Sequence, residues 1–288
     1  MLTAAERAAS LSCWTTPVDP QPLTGGITNV NFVVEHAARK YVVRIGEDIP
    51  HHGVMRFNEA AASRGAHAAG LSPAVVYSEP GALVIDFVDG KTLSEADVRE
   101  RGMLERVVPL LKTCHREVPQ HLRGPALAFS VFHVVRDYGH TLRDNSSRWM
   151  SELDRLLGIA GELEARVGSI DLVFGHNDLL PANLIDDGER LWLIDWDYAG
   201  FNSPLFDLGG LASNNQLDEA DEIWLLENYF NAPVTDELRD RYAAMKCASL
   251  LREAMWSMVS EIFSAIEFDY ASYTEENLAR FEQAYQNR

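Results

Sequence analysis

Two short apolar runs, residues 183–185 and 191–194, flank Asp186-Asp187-Gly188-Glu189-Arg190, a polar turn cluster of the kind that joins antiparallel strands. A hairpin this tight brings whatever precedes its first strand and whatever ends its second to one end of the ribbon. Asp178 precedes the first run, Asn183 opens it, and Asp195 follows the second. Three oxygen-bearing side chains are therefore expected to converge beside a small β-ribbon.

Read with its flanks, the stretch is His176-Asn177-Asp178, Asn183 five residues on, and then a strand ending in Asp195. This H-x-D-x-x-x-x-N loop followed by a strand-end Asp is the kinase arrangement for phosphoryl transfer. In that scheme Asp178 orients or deprotonates the acceptor hydroxyl, and Asn183 and Asp195 hold magnesium. Hard oxygen ligands suit magnesium bound to nucleotide phosphates, so ATP and Mg2+ are the expected cofactors. A polar hairpin with ordinary Asx turns explains either half alone; both halves in the right order favour the chemistry.

The 288 residues, 47% of them hydrophobic, suffice for a large core and two lobes. No apolar run approaches the ~18 residues of a membrane span, and the first twelve residues carry Glu6 and Arg7, so no membrane insertion and a cytoplasmic location are expected. Cys13, Cys114 and Cys247 are far apart and lack C-x-x-C spacing, which points to reduced structural thiols. A net charge of -18 disfavours nucleic acid and attracts cationic substrates. The same field repels ATP, so a nucleotide site needs magnesium and a local cation.

In chain order, residues 4–14 suggest a short helix. Residues 23–34 read as a glycine turn running into a strand, with residues 40–45 as its partner. Gly25, Gly26, Thr28 and Asn29 form a tip whose backbone can approach phosphates. Arg44 closes the second strand where a phosphate-binding cation is wanted, and Glu59, on a helix expected over 56–69, is its candidate ion-pair partner. Strands are expected at 73–77 and 82–88, and the backbone of Asp86 and Val88 is expected to face adenine at an inter-lobe hinge. The lobes are then 1–88 and 89–288. Gly90-Lys91-Thr92 resembles a P-loop tail, but Ile85 stands where its first glycine is required.

Helical spacing marks 103–115 and 149–167 as core helices, and helices are expected from 201–210 onward, at 219–229 and over 236–266. Asp207 can cap its helix or brace the catalytic loop. Met245, Met255, Met258 and Trp256 form a stripe that reads as core. His115, His121, His133 and His140 lack metal-ligand spacing. No G-x-S-x-G occurs, so a hydrolase triad has no anchor.

These residues resemble the choline/ethanolamine kinases, within the wider aminoglycoside phosphotransferase and protein-kinase-like group. Residues 23–29 are similar to the family's G-G-[IL]-[ST]-N loop, and residues 41–45 to its strand carrying Arg. The H-N-D-x-x-x-x-N segment is matched, and residues 194–207 follow I-D-[FW]-[ED]-Y through F-D. The C-terminal Trp256-Ser257, Phe268-Asp269-Tyr270, Tyr273 and Arg280-Phe281 resemble its closing segment. The resemblance implies an α+β, bilobal, protein-kinase-like fold with a small β-rich N-lobe and a larger, mostly helical C-lobe. It implies Asp178 as base, Asn183 and Asp195 as magnesium ligands, Arg44 paired with Glu59, and Trp256 with Tyr273 as walls for a small cationic alcohol. The chain departs from the pattern at Glu253, where a second Trp is usual, and at Asn214, where an acid is usual. Glu253 and Asp197 are candidates to bind an ammonium by charge. The same fold also serves aminoglycosides, thiamine and sugar-like alcohols, or a catalytically inactive nucleotide binder.

Overall fold

The computed structural model describes residues 2–23, 29–264, 266 and 268–287; Gly25, Gly26 and Thr28 of the expected phosphate loop lie outside them. Helix α1 (Ala4–Ala9) starts on a capping box between Thr3 and Glu6, which satisfies end N–H groups that a helix this short cannot. Strands β1 (Gln21–Leu23), β2 (Val30–His36) and β3 (Arg39–Ile45) precede helix α2 (Arg56–Ala68), and strands β4 (Val75–Glu79) and β5 (Ala82–Asp86) follow it. The five strands form one antiparallel sheet in the order β1-β2-β3-β5-β4. Ala37 and Ala38 turn β2 into β3 with φ of 50° and 61°, the left-handed pair that suits the twist of a tight hairpin. Alternate residues Phe32, Val34, Tyr41 and Val43 are buried with Ala8 and Leu11, so α1 covers one face of the sheet.

Strand β5 ends at Asp86, two residues short of Val88, because the chain leaves the sheet once Phe87 has donated its N–H to Lys40 O. Residues 87–89 are irregular and lead to β6 (Lys91–Thr92). Gly90 permits this crossing: a Cβ there would lie 2.7 Å from the Asp186 carbonyl oxygen.

The larger lobe contains α3 (Glu95–Arg99), α4 (Arg101–His121), α5 (Val131–Asp144), α6 (Leu153–Val167), β7 (Val173–Gly175), β8 (Leu184–Asp186), β9 (Leu191–Leu193) and β10 (Gly200–Asn202). It continues through α7 (Pro204–Asn214), α8 (Glu219–Phe230), α9 (Asp236–Phe263) and α10 (Tyr270–Gln286). Helix α9 is its axis, packed against α5, α6, α7 and α10 and burying residues on every side. The expected hairpin is β8–β9, with Leu184 opposite Leu193, and β6 adds a third strand. Among the described residues, no helix is long and apolar enough to cross a membrane.

Candidate active site

The loop after β7 is held open by its own side chains. Asn177 adopts φ of 65°, an uncommon conformation that an Asn tolerates better than most residues. Its Nδ2 donates to Tyr198 O and Gly200 O at 3.0 and 3.1 Å, and its Oδ1 accepts from Asn202 Nδ2 at 3.0 Å. Asp207, in the first turn of α7, accepts the backbone N–H groups of His176 and Asn177 at 2.8 and 2.7 Å. His115 Nε2 lies 2.9 Å from the same carboxylate. Burial works against the Asp207 anion, but the bond from His115 and the nearby imidazoles outweigh it and hold the group below its ordinary pKa. Asp207 therefore braces the loop rather than capping α7, whose cap is Ser203.

His176 links the two halves of the site. Its Nε2 meets Ile194 O at 2.9 Å, and its Nδ1 lies 3.3 Å from the Asp178 N–H. A neutral ring with the proton on Nε2 satisfies both, and burial lowers its pKa in agreement. The backbone of Ile194 in turn donates to Asn183 O at 3.0 Å. Asp178, Asn183 and Asp195 are thus brought to one end of β8–β9 by a continuous hydrogen-bonded frame.

Asp178 is half-buried, and burial, reinforced by Asp195 and opposed by Arg252, pushes its carboxyl up to about 8. A raised pKa makes this carboxylate, once ionised, a stronger base toward a hydroxyl proton. Asn183 Nδ2 donates to Asp178 O at 2.9 Å, which turns its amide oxygen away from that loop. Asp195 sits at φ of 66°, an outlier of the kind that accumulates at functional sites. Among the described residues, no three His, Cys, Asp or Glu side chains cluster to hold a metal. A site of one carboxylate and one amide oxygen instead suits magnesium, which keeps waters and phosphate oxygens as its remaining ligands.

On the sheet side, Arg44 is 8% exposed and stands among three acids. Its Nε lies 2.9 Å from Glu59, and its Nη2 lies 2.8 Å from Asp195 and 3.1 Å from Asp197. Burial disfavours the charge, but these carboxylates reverse that and hold the guanidinium protonated. Arg56, which the sequence reading passed over, contacts Glu59 at 2.8 Å and Asp197 at 2.9 Å. Its spacing of three residues from Glu59 on one helix was the available signal. Asp197 is accordingly not placed for a substrate ammonium. It is 2% exposed, its Oδ1 meets both guanidiniums, and its Oδ2 accepts from Asn29 at 3.2 Å. Asn29 is turned toward that acid, and Asp86 pairs with Arg39 at 2.7 Å while its N–H is engaged by Ala74 O. Val88 lies half-buried in the linker.

On the opposite side Asp178 shares a small cleft with Asn214, Ser249, Arg252 and Glu253. Glu253 is clamped: Tyr273 OH donates to it at 2.9 Å, and Arg252 Nη2 lies 3.1 Å away. Arg252, a charge inside the apolar stripe of α9, was also missed by the sequence reading. Trp256 is 4% exposed, donates Nε1–H to Tyr198 OH at 2.7 Å, and packs against the His52 ring at 5.0 Å. Its indole belongs to the core in this conformation and meets Tyr273 edge-on. Trp256→Ala is therefore expected to cost about 3 kcal/mol of stability, with a similar loss on every acceptor; chemical denaturation checks the first and parallel kinetics the second.

The choline/ethanolamine kinase profile matches residues 21–224. Protein LicA of Haemophilus influenzae is 31% identical over 212 residues, which span 72% of this chain and 61% of that protein. A probable ethanolamine kinase A of Dictyostelium discoideum is 26% identical, covering 93% of this chain and 85% of its own length. The crystal structure of a choline/ethanolamine kinase family protein from Mesorhizobium loti superposes with a TM-score of 0.78 at 25% identity, over 98% of this chain and 93% of that one. With the profile running from the first strand through the braced loop, the β8–β9 ribbon and the acid after it, the chain belongs to the choline/ethanolamine kinase family.

Proposed function

We propose that the protein transfers the γ-phosphoryl group of ATP to the hydroxyl of a small cationic alcohol, with choline and ethanolamine as the first candidates. The observation that carries this reading is the frame joining Asp178, Asn183 and Asp195 through His176, with Arg44 at 2.8 Å from Asp195. In this scheme residues 1–88 serve the nucleotide and residues 89–288 supply the base and the acceptor cleft, in a cytoplasmic enzyme. Asn183 and Asp195 would hold magnesium, which supplies charge neutralisation on the phosphates when bound.

The chain's own groups account for the rest. Asp178 accepts the proton of the acceptor hydroxyl as its oxygen bonds to phosphorus, the bond to the ADP oxygen breaks, and ADP departs. Asp207 and His176 fix the loop so that the carboxylate is aimed before substrate arrives, which lowers the cost of orientation. Arg44 is the cation positioned for the phosphates, and reaching them requires exchanging its contact with Asp195 for one with nucleotide.

A panel of amino alcohols, aminoglycosides, thiamine and sugars, read by ADP release from purified protein and Mg·ATP, tests the reading. Turnover concentrated on the amino alcohols is expected. Turnover on an aminoglycoside, thiamine or a sugar alone would replace the substrate class.

A further inference from the structure

We propose that α2, with its flanks over residues 49–72, moves as part of the larger lobe, and that the mobile small lobe is only the five-stranded sheet with α1, which slides along α2 when nucleotide binds. The contacts of Arg44 with Glu59, Asp195 and Asp197 then form a clasp between two bodies, not a pairing within one. The nucleotide enters from the phosphotransferase reading above; the two bodies stand on packing alone.

The apolar packing divides the chain in this way. Phe32, Val43 and Val84 of the sheet form one core with Ala8 and Leu11. Val54, Ala62, Ala66 and Leu71 are buried instead in the core of the larger lobe. Gly65 brings α2 close against α4: a Cβ there would lie 3.2 Å from Leu122 and 3.3 Å from Val118. Ile45 belongs to the first core and Ile49 packs on the second, so the chain changes body within residues 46–48. It returns to the sheet after Ser72 and leaves it for the last time after Phe87, whose N–H is still held by Lys40 O.

Buried hydrogen bonds pin the same segment to the larger lobe. His52, in the short turn Pro50–His52 before α2, places Nδ1 at 3.1 Å from Tyr138 OH on α5 and Nε2 at 3.0 Å from Ser260 Oγ on α9. Burial, the Arg252 charge and His51 push its pKa down to about 3, so the ring stays neutral near neutral pH and both bonds persist. Asn58 donates to Ala199 O at 2.7 Å and accepts the Leu127 N–H at 3.3 Å. Past the end of α2, Leu71 O accepts the Leu193 N–H at 2.8 Å, and Ser72 Oγ accepts from Trp196 Nε1 at 3.2 Å.

The sheet meets α2 without comparable packing. A cavity of about 510 Å³ lies between them, lined by Phe57 and Ala60 of α2 and by Leu83 of β5. Phe57 is 48% exposed, and Leu83, although buried, belongs to neither core. The links that bridge this seam are polar: Arg44 Nε stands 2.9 Å from Glu59, and Arg64 Nη2 donates to Ser78 Oγ at 2.6 Å. Such links can be exchanged for water or for a phosphate, whereas parting either core exposes apolar surface to water. The seam is therefore where the fold yields, by sliding of packed bodies. Glu59, Asp195 and Asp197 ride together on one body, and Arg44 comes to them with the sheet.

Spin labels test this. Glu35→Cys on the sheet, Ala68→Cys on α2 and Glu237→Cys on α9, all at exposed positions, are combined in pairs in a Cys13→Ser background. With Mg·ADP, the distances from Glu35 are expected to shift by about 2 Å or more while Ala68 to Glu237 stays fixed. Arg44→Met, which opens the clasp, is expected to broaden the Glu35 distances without nucleotide and leave the third narrow. A constant distance from Glu35 to Ala68 with a shift between Ala68 and Glu237 overturns the inference, and so does a nucleotide-bound protein in which none of the three moves. Failure of Mg·ADP to bind, read by calorimetry, defeats the phosphotransferase reading instead, and native-state hydrogen exchange then decides. Amides of α2 are expected to open together with those of α4, at higher urea than those of β2 and β3. Opening of α2 together with the sheet overturns the inference.

Discussion

Asp178→Ala is expected to lower kcat by about 10²- to 10⁴-fold while nucleotide affinity stays nearly unchanged, because a general base acts mainly in the transition state. The carboxylate lines the proposed acceptor cleft with Arg252 and Glu253, so its removal is expected to affect the hydroxyl far more than ATP. Its environment adds a second, independent readout. Burial and the neighbouring Asp195 raise its carboxyl to about 8 in the folded protein, against about 3.9 in an unfolded chain. Between those values the native state holds a proton that the unfolded state has released, so stability declines as pH rises through the window. Asp178→Asn has no such proton. In metal-free protein its melting temperature should therefore fall less than that of wild type between about pH 5 and pH 8. Identical pH profiles would mean that Asp178 is not the strained group, and near-normal turnover in Asp178→Ala would remove it from the chemistry.

That the proposed base is also a cost to the fold follows from how the loop is built. Asp207 and Asn177 supply the hydrogen bonds that let residues 176–178 stand away from a regular strand, and the φ values of Asn177 and Asp195 mark where the backbone is held against preference. These devices make the loop rigid before substrate binds. Flexibility is therefore not expected at Asp178 itself but at the Arg44 contacts, which in the proposed scheme change partner when phosphates arrive.

The ribbon, its acids and the Arg44–Glu59 pair could be read from the chain because each depends on local spacing: a turn cluster between short apolar runs, or a strand-end cation followed by a helix. Helix α5 was missed although Val131, Val135, Tyr138 and Leu142 recur at helical intervals, with His133, Arg136 and His140 exposed on the opposite face. Helix α10 was read only as a source of aromatic walls, its sequence being polar enough to hide Tyr270, Thr274, Asn277 and Phe281 on its buried face. Asp197 was placed on the wrong side of the site for a different reason. Two residues beyond Asp195, its side chain could serve either lobe, and what decides is Arg56, remote in sequence and visible only when α2 is packed. Arg252 was hidden in the same way, since a buried cation is stable only with partners such as Glu253 and Tyr198 that spacing alone does not reveal.

Asp195→Asn is expected to remove the magnesium-dependent part of nucleotide binding. Loss of groups that merely orient a metal ligand costs about 10- to 100-fold in affinity, so loss of the charged ligand itself should cost at least about 100-fold. Asparagine is the informative substitution because it tolerates the left-handed backbone at this position, φ of 66°, where Ala would add strain of its own. The structure also predicts the metal-free behaviour. Asp195 now holds Arg44 at 2.8 Å and adds negative charge where phosphates would approach. Neutralising it leaves Arg44 anchored by Glu59 and Asp197 but frees the Nη2 edge that faced Asp195. Nucleotide without magnesium should therefore bind the variant as well as or better than wild type, while nucleotide with magnesium binds it much more weakly. Calorimetric titration in chelator and in excess magnesium separates the two. An equal loss under both conditions would make Asp195 a scaffold residue, whereas opposite shifts follow only if one carboxylate alternates between the Arg44 guanidinium and the metal.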